Sequence, residues 1–225
     1  MSFTKNIHWI LSLLLLFFTS VDSIQAQETE SSSEFTVFRA FVPVGFNTSQ
    51  IHGDDLAGFK KFGLNAGIGA HVMFTKNWSA SIEILYSQRG ASSHLVVKES
   101  FTDWRKIKLD YIDLPILFNY HDKDIAIFGL GVTIGTKVRY DETLVQGGEV
   151  IDTLYSDVPG GDPYNTFDIA GTANVTFLIK NKYGINLRYT HSFINTGKIL
   201  FPESNLKNQG HIHQVATVRF IYYIN

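Results

Sequence analysis

Three short groupings in this chain combine residue types that could do chemistry, and each runs into a geometric objection. Gly129-Leu130-Gly131-Val132-Thr133-Ile134-Gly135 has the glycine density of a phosphate-cradling loop. All three glycines, however, fall on one face of an alternating segment, and no helical period follows to supply the helix N-terminus that such a loop feeds. His211-Ile212-His213 puts two imidazoles on one face, which suits a metal ion. No carboxylate or thiol of clear register accompanies them, so the expectation is a pair of rim histidines in water. His191-Ser192 offers a base and a nucleophile of the kind that cleaves or transfers acyl chains at a membrane rim. Neighbours in a strand face opposite sides, so a dyad of adjacent residues fails unless a bulge intervenes. The expectation is no catalytic residue, no cofactor and no metal.

A different set of charges is spaced more informatively. Arg39, Glu83, Asp113, Arg188 and Arg219 each sit on the polar face of an alternating segment. Each lies roughly four to seven residues from one end of its segment, a common layer once strand tilt is allowed for. The segments that would position them are long strands. In Leu64–Phe74, Leu64, Ala66, Ile68, Ala70, Val72 and Phe74 share one face and Asn65, Gly67, Gly69, His71 and Met73 the other. After Thr75-Lys76-Asn77 the pattern resumes, with Trp78, Ala80, Ile82, Ile84 and Tyr86 opposite Ser79, Ser81, Glu83, Ser87 and Arg89. Period 2 means strand, and the length matches the roughly 9–11 residues that a tilted strand needs to cross a bilayer. The apolar face then belongs in lipid and the polar face in a lumen.

The remaining chain repeats this pattern. A first strand begins at Phe35, with Phe38, Ala40, Val42 and Val44 outward and Arg39 inward, although Phe41 and Pro43 blur it. Lys106–Tyr120 turns Ile112, Leu114, Ile116, Phe118 and Tyr120 outward and Asp113 inward, with Pro115 expected at a local break in pairing. Ile125–Tyr140 places Phe128, Leu130, Val132, Ile134, Val138 and Tyr140 outward, and Gly129, Gly131, Thr133, Gly135, Lys137 and Arg139 inward. Phe167–Ile179, Tyr183–Asn195 and Gly210–Asn225 complete eight strands, the first of these carrying Asp168 inward. Segments 48–61, 91–105, 141–164 and 196–209 read as long loops, while Thr75–Asn77, His121–Asp124 and Lys180–Lys182 read as tight turns. Even strand number with alternating long loops and short turns predicts an all-β, eight-stranded antiparallel up-and-down transmembrane β-barrel, loops outside and turns in the periplasm. Trp78, Tyr120, Tyr183 and Tyr222 near the turn-side ends, and Tyr86, Tyr140 and Phe167 near the loop-side ends, would form the interfacial girdles.

Composition agrees with one domain. The chain has 225 residues, 44% hydrophobic and 14% aromatic, which suits one small barrel and excludes global disorder. Residues 1–26 carry Lys5, an apolar run over Ile10–Phe18 and a small-residue finish at Ala26, the pattern of a cleaved signal peptide. Its removal would take one base, Lys5, and one acid, Asp22, and leave the net charge at −2. With no basic excess, nucleic acid is not an expected partner. Residues 27–34 are acidic and Ser-rich and read as a flexible periplasmic lead-in, leaving 35–225 as the barrel domain. There is no cysteine, so thiolate chemistry, disulfide staples and a thiol for lipid attachment are excluded.

Several stretches resemble a known family. Gly45-Phe46-Asn47 with Gly53-Asp54, Glu83–Gly90, Tyr111-Ile112-Asp113-Leu114-Pro115, Gly129–Gly135 and Leu187-Arg188-Tyr189 are similar to the eight-stranded outer-membrane barrels of Bacteroidetes called PorT-like. The resemblance implies a fold and a place, the outer membrane, and no catalytic residue. A structural or interaction role through the external loops is then expected, with outer-membrane lipid and lipopolysaccharide around the barrel and an envelope protein as the kind of partner the loops could hold. Two other readings compete: an outer-membrane enzyme that hydrolyses or transfers lipid A acyl chains, and a soluble secreted lipocalin-like ligand binder whose apolar faces point inward. A side-chain-plugged lumen built on Arg39, Glu83, Asp113, Arg188 and Arg219 belongs to the favoured reading.

Overall fold

The computed structural model describes residues 37–52, 59–96, 102–146, 149–152, 164–195 and 212–224, all within the compact unit Phe35–Asn225. Among them are nine strands: β1 Phe38–His52, β2 Lys61–Met73, β3 Trp78–Val96, β4 Thr102–Asp122, β5 Ala126–Gln146, β6 Glu149–Asp152, β7 Phe167–Ile179, β8 Tyr183–Ser192 and β9 Ile212–Ile224. Each pairs antiparallel with its neighbours. β1 bonds to both β2 and β9, and β4 to both β3 and β5, so the sheet closes on itself. Eight strands form the ring, and β6 is a short return strand on the end of β5. Closure removes the open edges that an apolar sheet in lipid could not leave unpaired. No helix among the described residues is long and apolar enough to cross a membrane.

The three connections at one end are tight. Lys123 and Asp124 have φ of 45° and 56°, and Lys180 and Asn181 each have 52°. The Ile125 and Lys182 amides return to the Asp122 and Ile179 carbonyls, at 2.9 and 3.3 Å. Two successive left-handed residues make a turn whose twist matches the flanking strands. The third connection, Phe74–Asn77, is closed by the Thr75 hydroxyl, which accepts from the amides of Asn77 and Trp78 at 3.3 and 3.1 Å. His121, expected in a turn, is still in β4.

At the other end the strands outrun the loops expected from polarity. Segment 48–61 contains the last residues of β1, 91–105 contains the ends of both β3 and β4, and 141–164 contains the end of β5 and all of β6. Outside lipid a strand no longer needs an apolar outward face, so alternation ends where the hairpin does not. The pairing of β3 with β4 continues up to Val96 and Thr102.

A bulge changes one set of facings. The β4–β5 register passes from Tyr111 opposite Lys137 to Asp110 opposite Arg139, leaving Val138 as the extra residue. Above it the parity of β5 inverts. Tyr140, expected outward, instead packs against the buried cluster of Ala91, Ile107, Leu109, Tyr111 and Tyr164. Arg139, expected inward, is exposed.

Candidate functional site

The barrel interior is built by the inward residues of all eight strands and is layered along its axis. At the turn end Phe41, Ile127, Ile221 and Tyr223 form a buried apolar cluster with Leu178 against it. Gly69 makes this possible, since a Cβ there would run into the Phe41 ring and Glu83 Cγ. At the loop end the second cluster, Ala91, Ile107, Leu109, Tyr111 and Tyr164, closes over the opposite side of the lumen.

Between the clusters lie two triads of opposite net charge. In the lower one, Glu83 on β3 accepts from Arg188 Nη2 on β8 at 2.5 Å and from Arg219 Nη1 on β9 at 2.8 Å. The rest of the Arg219 fork, Nε and Nη2, donates to Asn186 Oδ1 at 3.0 and 2.9 Å. In the upper one, Arg89 on β3 donates to Asp168 Oδ2 at 2.8 Å and to Asp113 Oδ2. Its guanidinium carbon lies 4.7 Å from the centre of the Tyr111 ring, and Ser192 adds a hydroxyl donor to Asp168 at 2.9 Å. Two arginines share one carboxylate below, and two carboxylates share one arginine above, so the formal charges cancel over the pair of triads. All six charged side chains are buried. In such a place an ion persists only when paired and hydrogen-bonded.

Neutral polar residues fill the remaining space. Asn47 donates to Ser87 Oγ at 2.9 Å and accepts from the Thr217 hydroxyl at 2.8 Å. Thr172 bridges Thr133 at 2.6 Å and Thr190 at 3.2 Å, and Asn119 donates to Ser81 Oγ at 2.9 Å. The glycines of β5 make room for these groups. A Cβ on Gly129 would meet the Asn119 and Asn174 amides, and one on Gly135 would meet Asp113 Oδ1. Two cavities in the lumen each have room for about one water molecule.

The outer wall is the reverse. Leu130 is 69% exposed, Ile68 61% and Phe62 72%, and Ile84, Ile116, Phe128, Ile185 and Phe220 continue the band around the ring. Water would not tolerate a continuous apolar band of this extent on a monomer. An arrangement with polar groups inside and apolar groups outside requires lipid as the surrounding solvent, which removes the soluble lipocalin-like reading. A model of the family described as outer membrane protein beta-barrel domain matches residues 25–197. The chain belongs to that family. It is an integral outer-membrane barrel. No curated protein sequence matches it. Among solved structures it is similar to Ail, the attachment invasion locus protein of Yersinia pestis, at 12% identity and a TM-score of 0.47, covering 84% of this chain and 100% of that one. Neisserial surface protein A gives 9%, 0.44, 83% and 97%. The N-terminal barrel domain of Pseudomonas aeruginosa OprF gives 7%, 0.35, 82% and 97%.

Within this outer-membrane barrel the five charges singled out in the sequence separate. Glu83, Arg188 and Arg219 meet in the lower triad, and Asp113 belongs to the upper one. Arg39 joins neither: it is half-buried at the turn end, with its guanidinium carbon 4.0 Å from the Tyr223 ring centre. The partners that complete the upper triad, Arg89 and Asp168, have the inward parity expected of them, but lie nearer the loop-side ends than the layer drawn from the other five. Turn-side aromatics form contacting groups, with Trp78 stacked on Phe118 at 4.9 Å and tilted against Tyr120 at 4.9 Å, and Tyr183 tilted against Tyr222 at 5.7 Å. On the loop side Tyr189, exposed on β8, is a member of the girdle that Tyr140 is not.

The other candidates are placed as follows. His191 faces outward beside Tyr189, and Ser192 faces inward onto Asp168, so the two functional groups lie on opposite sides of β8. His213 is not a rim histidine in water: it is 1% exposed, edge-on to Tyr111 and Tyr164 at 6.0 and 6.4 Å. His211 lies outside the described residues.

Proposed function

We propose that this outer-membrane barrel is a non-conducting structural or interaction module whose lumen is plugged by its own side chains and whose partners are held outside. The two triads carry the reading. Eight strands enclose an interior just wide enough to be filled by side chains, and six mutually paired charges occupy the middle of that interior. A solute path would have to break buried ion pairs. The working surface is then the external part of the chain, segments 48–61, 91–105, 141–164 and 196–209, with an envelope protein as the kind of partner it takes and membrane lipid and lipopolysaccharide around the wall. No enzymatic step belongs to this reading: the base and the hydroxyl of His191-Ser192 lie on opposite sides of β8. The finer PorT-like assignment belongs to the same proposal and rests on the stretches Glu83–Gly90, Tyr111–Pro115 and Leu187–Tyr189. So does a cleaved leader over 1–26 and a lead-in over 27–34, which lie outside the described residues.

The natural absence of cysteine makes the topology testable. On intact cells a membrane-impermeant maleimide should label Ser156→Cys and leave Asn181→Cys unlabelled. Labelling of Asn181→Cys alone would invert the barrel and remove the external segments as the working surface.

A further inference from the structure

We infer that the loop-side rim of β4 and β5 is a docking site for the phosphate of an anionic glycolipid of the outer leaflet, with the lipid's acyl chains against the apolar wall below. The inference rests on the placement of the barrel in lipid and not on the plugged lumen. Height comes first. From the turn-side girdle residue Tyr120 to Asp110 is about ten residues, which at about 3.3 Å per residue and about 40° of tilt rises roughly 25 Å. That is the height of the apolar band of an outer-membrane barrel. Asp110 and its cross-strand partner Arg139 therefore stand at the upper edge of the hydrocarbon. Lys108 and Lys106, on the same outward face of β4, stand in the headgroup layer above it.

Charge comes second. Lys108 is held by Asp141 at 2.8 Å, and Asp110 accepts the Tyr86 hydroxyl at 2.8 Å. Lys106 and Arg139 make no ion pair among the described residues. The patch thus holds three cations and two acids, and its excess positive charge faces the layer where lipid phosphates lie. Position around the ring comes third. At the same end the described outward residues of the other strands include Thr48 on β1, Leu64 on β2, Gln88 on β3, Phe167 on β7, His191 on β8 and Gln214 on β9. None of these is Lys or Arg. Among the described residues Lys60, just before β2, is a further exposed cation at this end, and Lys106, Lys108 and Arg139 are the three that stand together, directly above Ile112, Ile134 and the bulged Val138, all exposed and apolar. An acyl chain and its phosphate would be met at the right depth by one continuous surface.

The full chain is refolded into nanodiscs containing either bis-phosphorylated lipid A or the same lipid stripped of phosphate, and lipid retained after transfer to detergent is counted by native mass spectrometry. The phosphorylated form should be retained about tenfold better, since each cation near an anionic surface contributes several-fold. The variant Lys106→Gln/Lys108→Gln/Arg139→Gln should lose the preference, and the turn variant Lys76→Gln/Lys180→Gln should keep it. Asp141→Asn, which frees Lys108, should strengthen it, and carries the test alone if the triple variant does not fold. Millimolar inorganic phosphate should not displace the lipid. Equal retention of the two lipids, an undiminished preference in a folded triple variant, loss in the turn variant, no gain in Asp141→Asn, or displacement by inorganic phosphate would each overturn the inference. None of these outcomes bears on the plugged lumen or the external segments, whose tests read conductance and labelling.

Discussion

Glu83 is the residue on which the lower triad turns, because two guanidinium groups lean on its one carboxylate. Glu83→Gln would leave Arg188 and Arg219 buried together without an anion, and breaking a buried pair in this way costs about 3–5 kcal/mol. Arg188→Met should cost less, since Arg219 still neutralises Glu83. The comparison is read as the temperature at which the folded, fast-migrating band disappears on a gel, and equal effects would mean that the two arginines are not sharing one acid. Asp141 is the contrasting case. The Lys108 ammonium that donates to it holds its carboxyl below the ordinary value, so the pair is present above that ordinary value and is lost as pH falls through the lowered one. It lies outside the hydrocarbon at the level of the headgroups, partly open to water, and exposed pairs contribute about 0–1 kcal/mol. Asp141→Asn should leave the melting temperature nearly unchanged. At this scale the sequence shows which charges face inward, because parity alone decides that. It does not show which charges meet, because partners on different strands are matched by shear and tilt. Arg89 and Asp168 are the example: their side was legible, and their convergence with Asp113 was not.

The strands of the ring were legible wherever lipid imposes alternation, and became illegible where that constraint stops. β5 shows both. Its apolar residues from Phe128 to Ile134 announce a strand, but Val138 is as apolar as Val132 and Ile134 and nothing in its type reveals that it is the bulged residue. Plain alternation therefore puts Tyr140 outward and Arg139 inward, the reverse of their places in the barrel. The turns carry their own cost. In Lys123-Asp124 and Lys180-Asn181 both residues adopt left-handed backbone, which non-glycine residues enter at about 1–2 kcal/mol. Replacing Lys123-Asp124 by Asn-Gly, the pair that such turns favour, should raise the urea midpoint of the refolded barrel and speed its folding. A lower midpoint would mean that this turn is not of the left-handed kind. The bulge gives a second check: deleting Val138, the extra residue, restores a regular ladder with Arg139 still outward and Tyr140 still inward, so the variant should fold, whereas deleting Val132 from the regular part of β5 would turn one side of the strand to the wrong faces and should fold far less stably.

For the whole molecule, the barrel is an inside-out arrangement in which the apolar wall fixes location and the polar interior carries the proposed closure. Location was legible from the sequence, since eight alternating segments with short turns on one side have few other solutions. The proposed closure of the lumen would make this outer-membrane barrel a scaffold for whatever its external strands hold and not a conduit. Reconstituting the pure protein in planar bilayers tests it most directly. The layered lumen predicts no stable channel for the wild type, with Glu83→Gln admitting at most brief, small openings as the lower triad loosens. Stable, large conductance steps from the wild-type protein would contradict a lumen closed by its two triads.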